Sequence, residues 1–297
     1  MRGKSALRWF ALGVALLFLL HTLRARWHEM AGLQLTSAQW GYCAMALLVT
    51  VIAHVWSGLV WLSLLRALER PLPLRRGLRL YLNTNLAKYV PGNIWHFYGR
   101  IEAVKAAGSS LGTATLSVLL EPLLMVAAAG AIALAAAPLP ALLPIAAEQA
   151  AALRAAGLVA IGGGLRPRYL NWLLQRRRLA DQDEPLRLSA YPLRPLLGEL
   201  GFVALRGAGF ALTVAAFAPV PPAALPLLLG AFAAAWGLGL VVPTPGGIGT
   251  FEASAVALLQ GPFAAGALLG AVVAFRLVSI AAEAAAAGLA SLLVGRP

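Results

Sequence analysis

The sequence has little charge. Only 12% of its 297 residues are Asp, Glu, Lys or Arg, whereas 60% are hydrophobic. A soluble domain carries about 25% charged residues, so the charged side chains here are too few to cover a surface that faces water. The composition excludes an ordinary soluble enzyme. It predicts an all-α polytopic membrane protein, because helices satisfy their own backbone hydrogen bonds inside a bilayer.

Aspartate and cysteine are scarcer still. Asp occurs only at Asp181 and Asp183, within one polar loop, and Cys43 is the single cysteine. With no Asp in an apolar segment, the sequence excludes an intramembrane aspartyl protease and the Asp-rich metal site of a prenyl-diphosphate enzyme. One cysteine excludes a disulfide framework and a cysteine metal site.

Signatures of metal, ATP and acyl-transfer chemistry are missing as well. The four histidines, His21, His28, His54 and His96, have no metal-ligand spacing, so no metal site is expected. The sequence has no Walker motif to bind ATP and no Gly-x-Ser-x-Gly nucleophile elbow. It therefore predicts neither an enzyme nor a bound cofactor.

The charged residues are mostly basic. The sequence has 24 Lys and Arg against 11 Asp and Glu, which gives a net charge of +13. In a soluble chain this excess would suggest nucleic acid, but here the basic residues fall mainly between apolar runs, where they set topology. Nucleic acid is therefore not an expected partner. By the positive-inside rule, the basic loops at residues 66–79 and 166–194 are predicted to face the cytoplasm, as is the N terminus.

The longer basic loop also contains an aromatic cluster. Tyr169, Trp172, Leu173 and Leu174 precede three consecutive arginines. This pattern favours a short helix lying on anionic headgroups, although a solvated loop helix would explain the same residues. Either interpretation predicts a short helix before the arginines.

Long apolar runs supply the membrane spans, since a spanning helix needs roughly 20 apolar residues. The first run follows three basic residues like a signal peptide, but no small-x-small cleavage site follows it. We therefore interpret it as an uncleaved helix. About seven or eight spans are expected. The clear apolar runs are residues 6–23, 40–65, 111–137, 139–164, 196–217, 225–242 and 264–294.

Two further segments are apolar but interrupted. One contains Lys88-Tyr89-Val90-Pro91-Gly92, and the other, residues 242–252, contains two prolines and three glycines. Each helix should break there. Broken backbone at membrane depth survives only where protein or a wet cavity satisfies its polar groups. Because one interruption lies in each half, the pattern is typical of transporters built from inverted repeats, and we expect the two breaks to line one cavity near mid-membrane.

The same two segments resemble those of a known family. Lys88-Tyr89-Val90-Pro91-Gly92, followed by Arg100, is similar to the first motif of the flippase-like membrane domain of lysylphosphatidylglycerol synthases. The stretch from Pro243 to Glu252, PTPGGIGTFE, is similar to the second motif. Glu121 and Arg276-Leu277 also fall where that family has a Glu and an Arg. The resemblance covers most of the chain.

The resemblance implies a lipid-translocating or lipid-handling domain in the bacterial inner membrane. The synthases carry a soluble aminoacyltransferase after their membrane domain, whereas this chain ends at Pro297. We therefore expect a free-standing relative that forms a single domain over residues 1–297 and does not use aminoacyl-tRNA.

Among the charged residues in the apolar or interrupted segments, eight are candidates for a site, since a charge at the bilayer centre costs about 2.5–3.5 kcal/mol and needs a reason. Glu199 and Arg206 are seven residues apart, as are Arg276 and Glu283, so each pair shares a helix face. Seven residues rise about 10 Å, too far for contact within one helix. Each side chain therefore needs a partner on another helix or a shared polar cavity. The eight are Lys88, Arg100, Glu121, Glu199, Arg206, Glu252, Arg276 and Glu283.

We hypothesise that residues beside both interruptions bind a lipid phosphate. Basic side chains around the first break would attract the phosphate, and the glycine-rich backbone of the second would add N–H donors at a helix start. The predicted substrate-binding residues are Lys88, His96, Arg100, Gly246, Gly247, Gly249 and Thr250.

Glu252 and Arg276 flank the second break and are predicted to form a gate or a proton-linked pair, with Glu121 as a further charged member of the site. The competing interpretation is that these charges only neutralise one another and orient the helices. The remaining intramembrane charges, Glu199, Arg206 and Glu283, are assigned that structural role.

Together these features predict ATP-independent movement of a lipid or lipid-linked headgroup between leaflets. A polar groove would shelter the headgroup while the tails stay in the bilayer. The expected ligands are an anionic phospholipid or a polyprenyl-linked lipid. Two alternatives remain open: a membrane enzyme acting on a lipid headgroup, and a non-transporting partner of a lipid-modifying enzyme.

Overall fold

The computed structural model of the chain describes residues 36–89, 94–136, 145–176, 188–242 and 249–293. In these ranges the backbone forms ten α-helices and two short 3-10 turns, which confirms the predicted all-α class. The turns are Leu86–Tyr89 and Pro222–Ala224. The helices are α1 (Ser37–Ala67), α2 (Leu74–Asn85), α3 (Trp95–Lys105), α4 (Leu111–Ala136), α5 (Ala147–Gly164), α6 (Pro167–Arg176), α7 (Leu193–Ala215), α8 (Leu225–Val241), α9 (Thr250–Leu259) and α10 (Ala265–Leu293).

Local sequence sets several helix ends. α1 begins with a reciprocal cap, in which the Gln39 N–H donates to Thr36 Oγ1 at 3.4 Å and the Thr36 N–H donates to Gln39 Oε1 at 2.7 Å. Such a cap satisfies donors that the first helical turn leaves free. α2 and α7 each begin directly after a proline, Pro73 and Pro192, at a helix start where the missing N–H is tolerated.

Five helices are long and apolar enough to cross a membrane: α1, α4, α7, α8 with its preceding turn, and α10. They confirm a polytopic membrane protein, and each coincides with a predicted span to within a few residues. The predicted span at residues 6–23 lies outside the described residues. The run at residues 139–164 is described as a helix from Ala147, and this helix, α5, is not among the five because it carries Glu148, Gln149 and Arg154.

α1 and α7 pack closely along each other because α7 presents glycines to α1. A Cβ atom on Gly198 would lie 2.6 Å from Val60 Cγ2, and one on Gly209 would lie 2.7 Å from Thr50 Oγ1. The indole N–H of Trp56 donates to the Gly198 carbonyl at 2.8 Å. Small residues let helix backbones approach in membranes, so this contact fixes α7 against α1.

Four phenylalanine rings join α7, α8, α9 and α10. Their centroids lie 5.3–5.8 Å apart in all six pairings, a separation that aromatic pairs favour. The cluster holds α9, the helix that follows the second interruption, against α10. It thereby brings Glu252 close to Arg276, since each is the chain neighbour of a clustered ring. The rings are Phe210, Phe232, Phe251 and Phe275.

α6 coincides with the short helix predicted before the arginines. Tyr169 and Trp172 are exposed, whereas Leu170 is buried among leucines of α4. Exposed aromatic rings on a short helix suit the membrane interface, and placement there stays a prediction.

The central residues of the two predicted interruptions, 90–93 and 243–248, lie outside the described residues, and we refer to these two segments as the interruptions below. The described helical elements end before each segment and begin again after it. The turn Leu86–Tyr89 precedes the first segment and α3 follows it, while α8 precedes the second and α9 follows it. The contacts given below are therefore those of the residues that flank each interruption.

Candidate functional site

The first of two buried polar groups, the Arg100 network, is built from α1, α2, α3 and α4. Arg100 Nη1 donates to Glu121 Oε2 at 2.6 Å, and both side chains are almost fully buried. The Tyr81 hydroxyl donates to the other Glu121 oxygen at 2.5 Å and lies 2.6 Å from the Ser57 hydroxyl. Both oxygens of the carboxylate are therefore satisfied. The network comprises Ser57, Tyr81, Thr84, Asn85, Arg100 and Glu121.

Arg100 uses all three of its guanidinium nitrogens within this network. Nε donates to Thr84 Oγ1 at 3.2 Å, and Nη2 donates to Asn85 Oδ1 at 3.4 Å. The guanidinium carbon lies 3.8 Å from the centre of the Tyr81 ring, within the range of a cation–π contact. Since Glu121 neutralises this cation, contact between Arg100 and a lipid phosphate would require the network to open.

The second group begins with Lys88, the residue two positions before the first interruption. Its ammonium donates to Glu283 Oε1 on α10 at 2.6 Å, and the Lys88 side chain remains 31% exposed. The Tyr89 hydroxyl also hydrogen-bonds Glu283, and His54 Nε2 lies 3.4 Å from the same Oε1 atom. Lys88 and Tyr89, which precede the first interruption, are thus tied to α10.

Glu252, on the helix that follows the second interruption, pairs with the same helix. Arg276 Nη1 on α10 lies 3.3 Å from Glu252 Oε1. The other carboxylate oxygen accepts the Gly249 N–H at 2.7 Å, where Gly249 has a φ of +91° that favours glycine. One carboxylate therefore caps the start of α9 and pairs with α10, and it occupies a backbone donor that we expected to bind an anion.

Arg206 on α7 enters between these two ion pairs. Its Nη2 donates to Ser279 Oγ at 3.1 Å, and its guanidinium carbon lies 4.8 Å from the centre of the Phe275 ring. Because Arg276, Ser279 and Glu283 are three or four residues apart, they share one face of α10. Lys88 and Glu252, which flank the two interruptions, and Arg206 of α7 therefore meet this face over about 10 Å of helix. We define the Arg206 group as Lys88, Arg206, Glu252, Arg276, Ser279 and Glu283.

The Arg206 group has an excess of positive charge and an unused donor. Three cations, Lys88, Arg206 and Arg276, face two carboxylates, which leaves one positive charge in excess. Arg206 is only 6% exposed, and its Nη1 has no hydrogen-bond partner among the residues that the structure describes. Burying a polar donor without an acceptor is costly, and arginine binds phosphate through paired N–H groups. The arrangement can therefore receive one anionic oxygen ligand.

The other predicted phosphate-binding residues fall into three positions. His96 lies on α3, outside the five spans, and burial together with the positive charges of Arg100 and Lys88 lowers its pKa to about 3. Its imidazole is therefore neutral at pH 7 and adds no positive charge. Thr250 is the first residue of α9. Gly246 and Gly247 lie outside the described residues.

Glu199 belongs to neither group. It is fully buried on α7, and neither carboxyl oxygen has a hydrogen-bond partner within the described ranges. The charges of Glu121 and Arg100 act on it, but these two side chains pair with each other.

From the sequence, Arg206 and Glu283 were expected to have only a structural role. In the structure, Glu283 pairs with Lys88 beside the first interruption, and Arg206 donates to Ser279 on the same face of α10. The signal in the sequence was the seven-residue spacing, which put Arg276 and Glu283 on one face of α10. Which residue of α7 lies opposite that face depends on how the helices pack, so the spacing alone did not identify Arg206.

Comparison with known proteins adds the family. The sequence model described as the lysylphosphatidylglycerol synthase TM region matches residues 7–287. The chain belongs to this family. As the match extends into α10 as far as residue 287, it covers both interruptions, the Arg100 network and the Arg206 group. No protein with a curated description matches the chain. The protein is thus a multi-pass membrane protein of a family concerned with lipid modification or transport.

Proposed function

We propose that this protein moves a lipid with a phosphate-containing headgroup between the leaflets of the bacterial inner membrane, without ATP. One observation carries the proposal: residues beside both interruptions are tied to one face of α10, through Lys88 to Glu283 and Glu252 to Arg276. Interrupted helices that meet at one charged site are typical of transporters. The proposed role is transport and not catalysis.

The charge of the Arg206 group supports a phosphate ligand. A lipid phosphodiester has one negative charge, which matches the one positive charge in excess. Arg206 Nη1 is a donor that has no acceptor among the described residues, and Lys88 of the same group is partly exposed. A phosphate oxygen between these two side chains would satisfy the guanidinium and neutralise the group.

Glu252 and Arg276 have the position expected of a gate. Their side chains are 22% and 19% exposed, more than the buried Arg100 and Glu121 pair, so breaking the contact costs less. A phosphate that attracts Arg276 would release Glu252 and, with it, the cap on α9. The headgroup could then pass while the acyl tails stay in the bilayer.

The test uses the purified full chain in vesicles that contain nitrobenzoxadiazole-labelled phosphatidylglycerol. Dithionite quenches label in the outer leaflet only, so the rate of quenching measures lipid movement. Losing one charge-assisted hydrogen bond costs about 2 kcal/mol, and Arg206→Gln should therefore slow movement about thirtyfold. Arg194→Gln is the matched control, because Arg194 lies on the same helix and is exposed.

A labelled glucosylceramide, which lacks phosphate, should not move faster than in protein-free vesicles. Equal movement of both lipids would contradict a phosphate site, and movement of neither would contradict transport. Chromatography of the recovered lipids separates the enzyme alternative, since a changed headgroup would show catalysis.

The topology is part of the same proposal. We propose that the N terminus and residues 166–194 face the cytoplasm, since seven arginines and no lysine lie in this loop against three acidic residues. A reporter fused at Asp183 that is active only outside the cytoplasm would contradict this orientation.

A further inference from the structure

Glu199 is a buried acid that the phosphate site does not use. It lies on α7, is 0% exposed, and has no hydrogen-bond partner for either carboxyl oxygen among the described residues. By contrast, the equally buried Glu121 accepts two hydrogen bonds, one of them from a cation. The two buried glutamates therefore differ in their hydrogen bonding: the carboxylate of Glu121 has donors, whereas that of Glu199 has none among the described residues.

No described cation is available to neutralise Glu199. The nearest, Arg100, pairs with Glu121, whose own negative charge disfavours a second one nearby. Arg206 points to Ser279 instead. α7 itself carries Arg194 and Arg206 besides Glu199. The helices packed against it carry Tyr42, Cys43, His54 and Arg66 on α1, Glu121 on α4, and Arg276 and Glu283 on α10, whereas α8 has no titratable or charged group. Tyr81 on α2 and Arg100 on α3 also interact with Glu199.

An ionised carboxylate is strongly disfavoured in this environment. Removal from water costs a carboxylate far more than it costs a neutral carboxylic acid, unless a cation or several donors compensate. None of the described residues supplies such compensation to Glu199. The remaining way to remove the charge is to bind a proton.

We propose that Glu199 is a proton-binding site, protonated in the conformation described here and able to release its proton to water when α7 moves. The step is an acid dissociation: the O–H bond of the carboxyl group breaks, water takes the proton, and the electron pair stays on the carboxylate. Glu199 and Arg206 lie about 10 Å apart along the same face of α7. A headgroup that displaces α7 at Arg206 therefore also changes the surroundings of Glu199.

This proton links lipid movement to a proton gradient, a consequence that rests on the proposed function. If one proton moves with each lipid, a difference of one pH unit corresponds to about a tenfold change in the distribution of lipid between leaflets.

Infrared spectroscopy of the full chain tests the proton itself, independently of transport. At pH 7, wild type should show a protonated-carboxyl band that Glu199→Gln lacks, and Glu102→Gln, the control, should retain it. Glu102 is exposed and pairs only with Lys105 among the described residues. If the wild-type and Glu199→Gln spectra coincide in this region, Glu199 is ionised and the proposal is wrong.

The melting temperatures of two matched variants give a second test of whether Glu199 is protonated. Glutamine has the shape of a protonated glutamate, so Glu199→Gln should melt at or above the wild-type temperature. Glu121→Gln should melt several degrees lower, because it leaves Arg100 without its counter-ion. A large loss of stability in Glu199→Gln would show that its charge is needed, and would overturn the proposal.

Vesicles with labelled phosphatidylglycerol and an imposed pH difference test the link to transport. Wild type and Glu102→Gln should shift the lipid distribution by up to about tenfold per pH unit, and Glu199→Gln should show no shift. A normal shift in Glu199→Gln would overturn the link. A chain that shows the infrared band but moves no lipid at any pH difference would contradict the proposed function and leave the proton site supported.

Discussion

The Arg100 network and the Arg206 group lie in the same bundle but differ in how completely their polar atoms are paired. In the first, every guanidinium nitrogen of Arg100 and both oxygens of Glu121 have partners. In the second, one positive charge is in excess and Arg206 Nη1 has no partner among the described residues. A charge inside a membrane protein is therefore not a site by itself, and the incomplete pairing is the reason why we propose the Arg206 group, and not the Arg100 network, as the ligand site.

The largest difference between the two groups should appear when one arginine is neutralised. Arg100→Gln leaves Glu121 buried without a cation, which costs about 3–5 kcal/mol, so the level of folded protein in membranes should collapse. Arg206→Gln removes a cation from a group that has one in excess, and it should retain most of the folded protein. Fluorescence-detected size exclusion of both variants measures this, and equal losses would remove the distinction between the groups.

A charge reversal at Glu252 and Arg276 tests whether the second group also serves assembly. Each single reversal, Glu252→Arg or Arg276→Glu, places like charges together and should lower membrane levels. The cost should stay below the roughly 3–5 kcal/mol of a fully buried pair, because both side chains are partly exposed. The double variant should recover membrane levels but not lipid movement, since the polarity beside the headgroup is reversed. Full recovery of movement would return both residues to a structural role.

The smallest effect is expected from Tyr81→Phe. The substitution removes a hydroxyl that links Ser57 to Glu121, while the ion pair with Arg100 remains. Loss of one buried hydrogen bond should cost about 1–3 kcal/mol, and lipid movement per folded molecule should be unchanged. Melting temperature and the dithionite assay measure the two quantities. A variant that folds normally but moves no lipid would place the Arg100 network in the transport path.

Local sequence was sufficient for five of the predicted spans and insufficient for the pairing of charges. The run at residues 111–137 predicts α4 because length and apolarity are properties of one segment. The partners of Lys88 and Arg100 are not local, since the ion pair of Lys88 with Glu283 joins residues 195 positions apart. Such contacts depend on which faces of two helices meet, and hydropathy does not determine that.

The pairing of polar groups was not predictable from the sequence even between neighbouring residues, as the start of α9 shows. Gly249 was expected to donate its N–H to an anion, and the donor does face an anion, but that anion is the Glu252 side chain three residues later. The sequence contained both residues. It did not show that a carboxylate on the next helical turn would occupy the donor.

The glycine contact between α1 and α7 has a consequence for how the family can diversify. Position 198 has no room for a methyl group while Val60 remains, and position 209 has none while Thr50 remains. A descendant that acquires alanine at 198 must first, or at once, acquire a smaller residue at 60. The residues at 198 and 60, and those at 209 and 50, are therefore expected to covary among relatives, because steric packing couples mutations at positions that are distant in the gene.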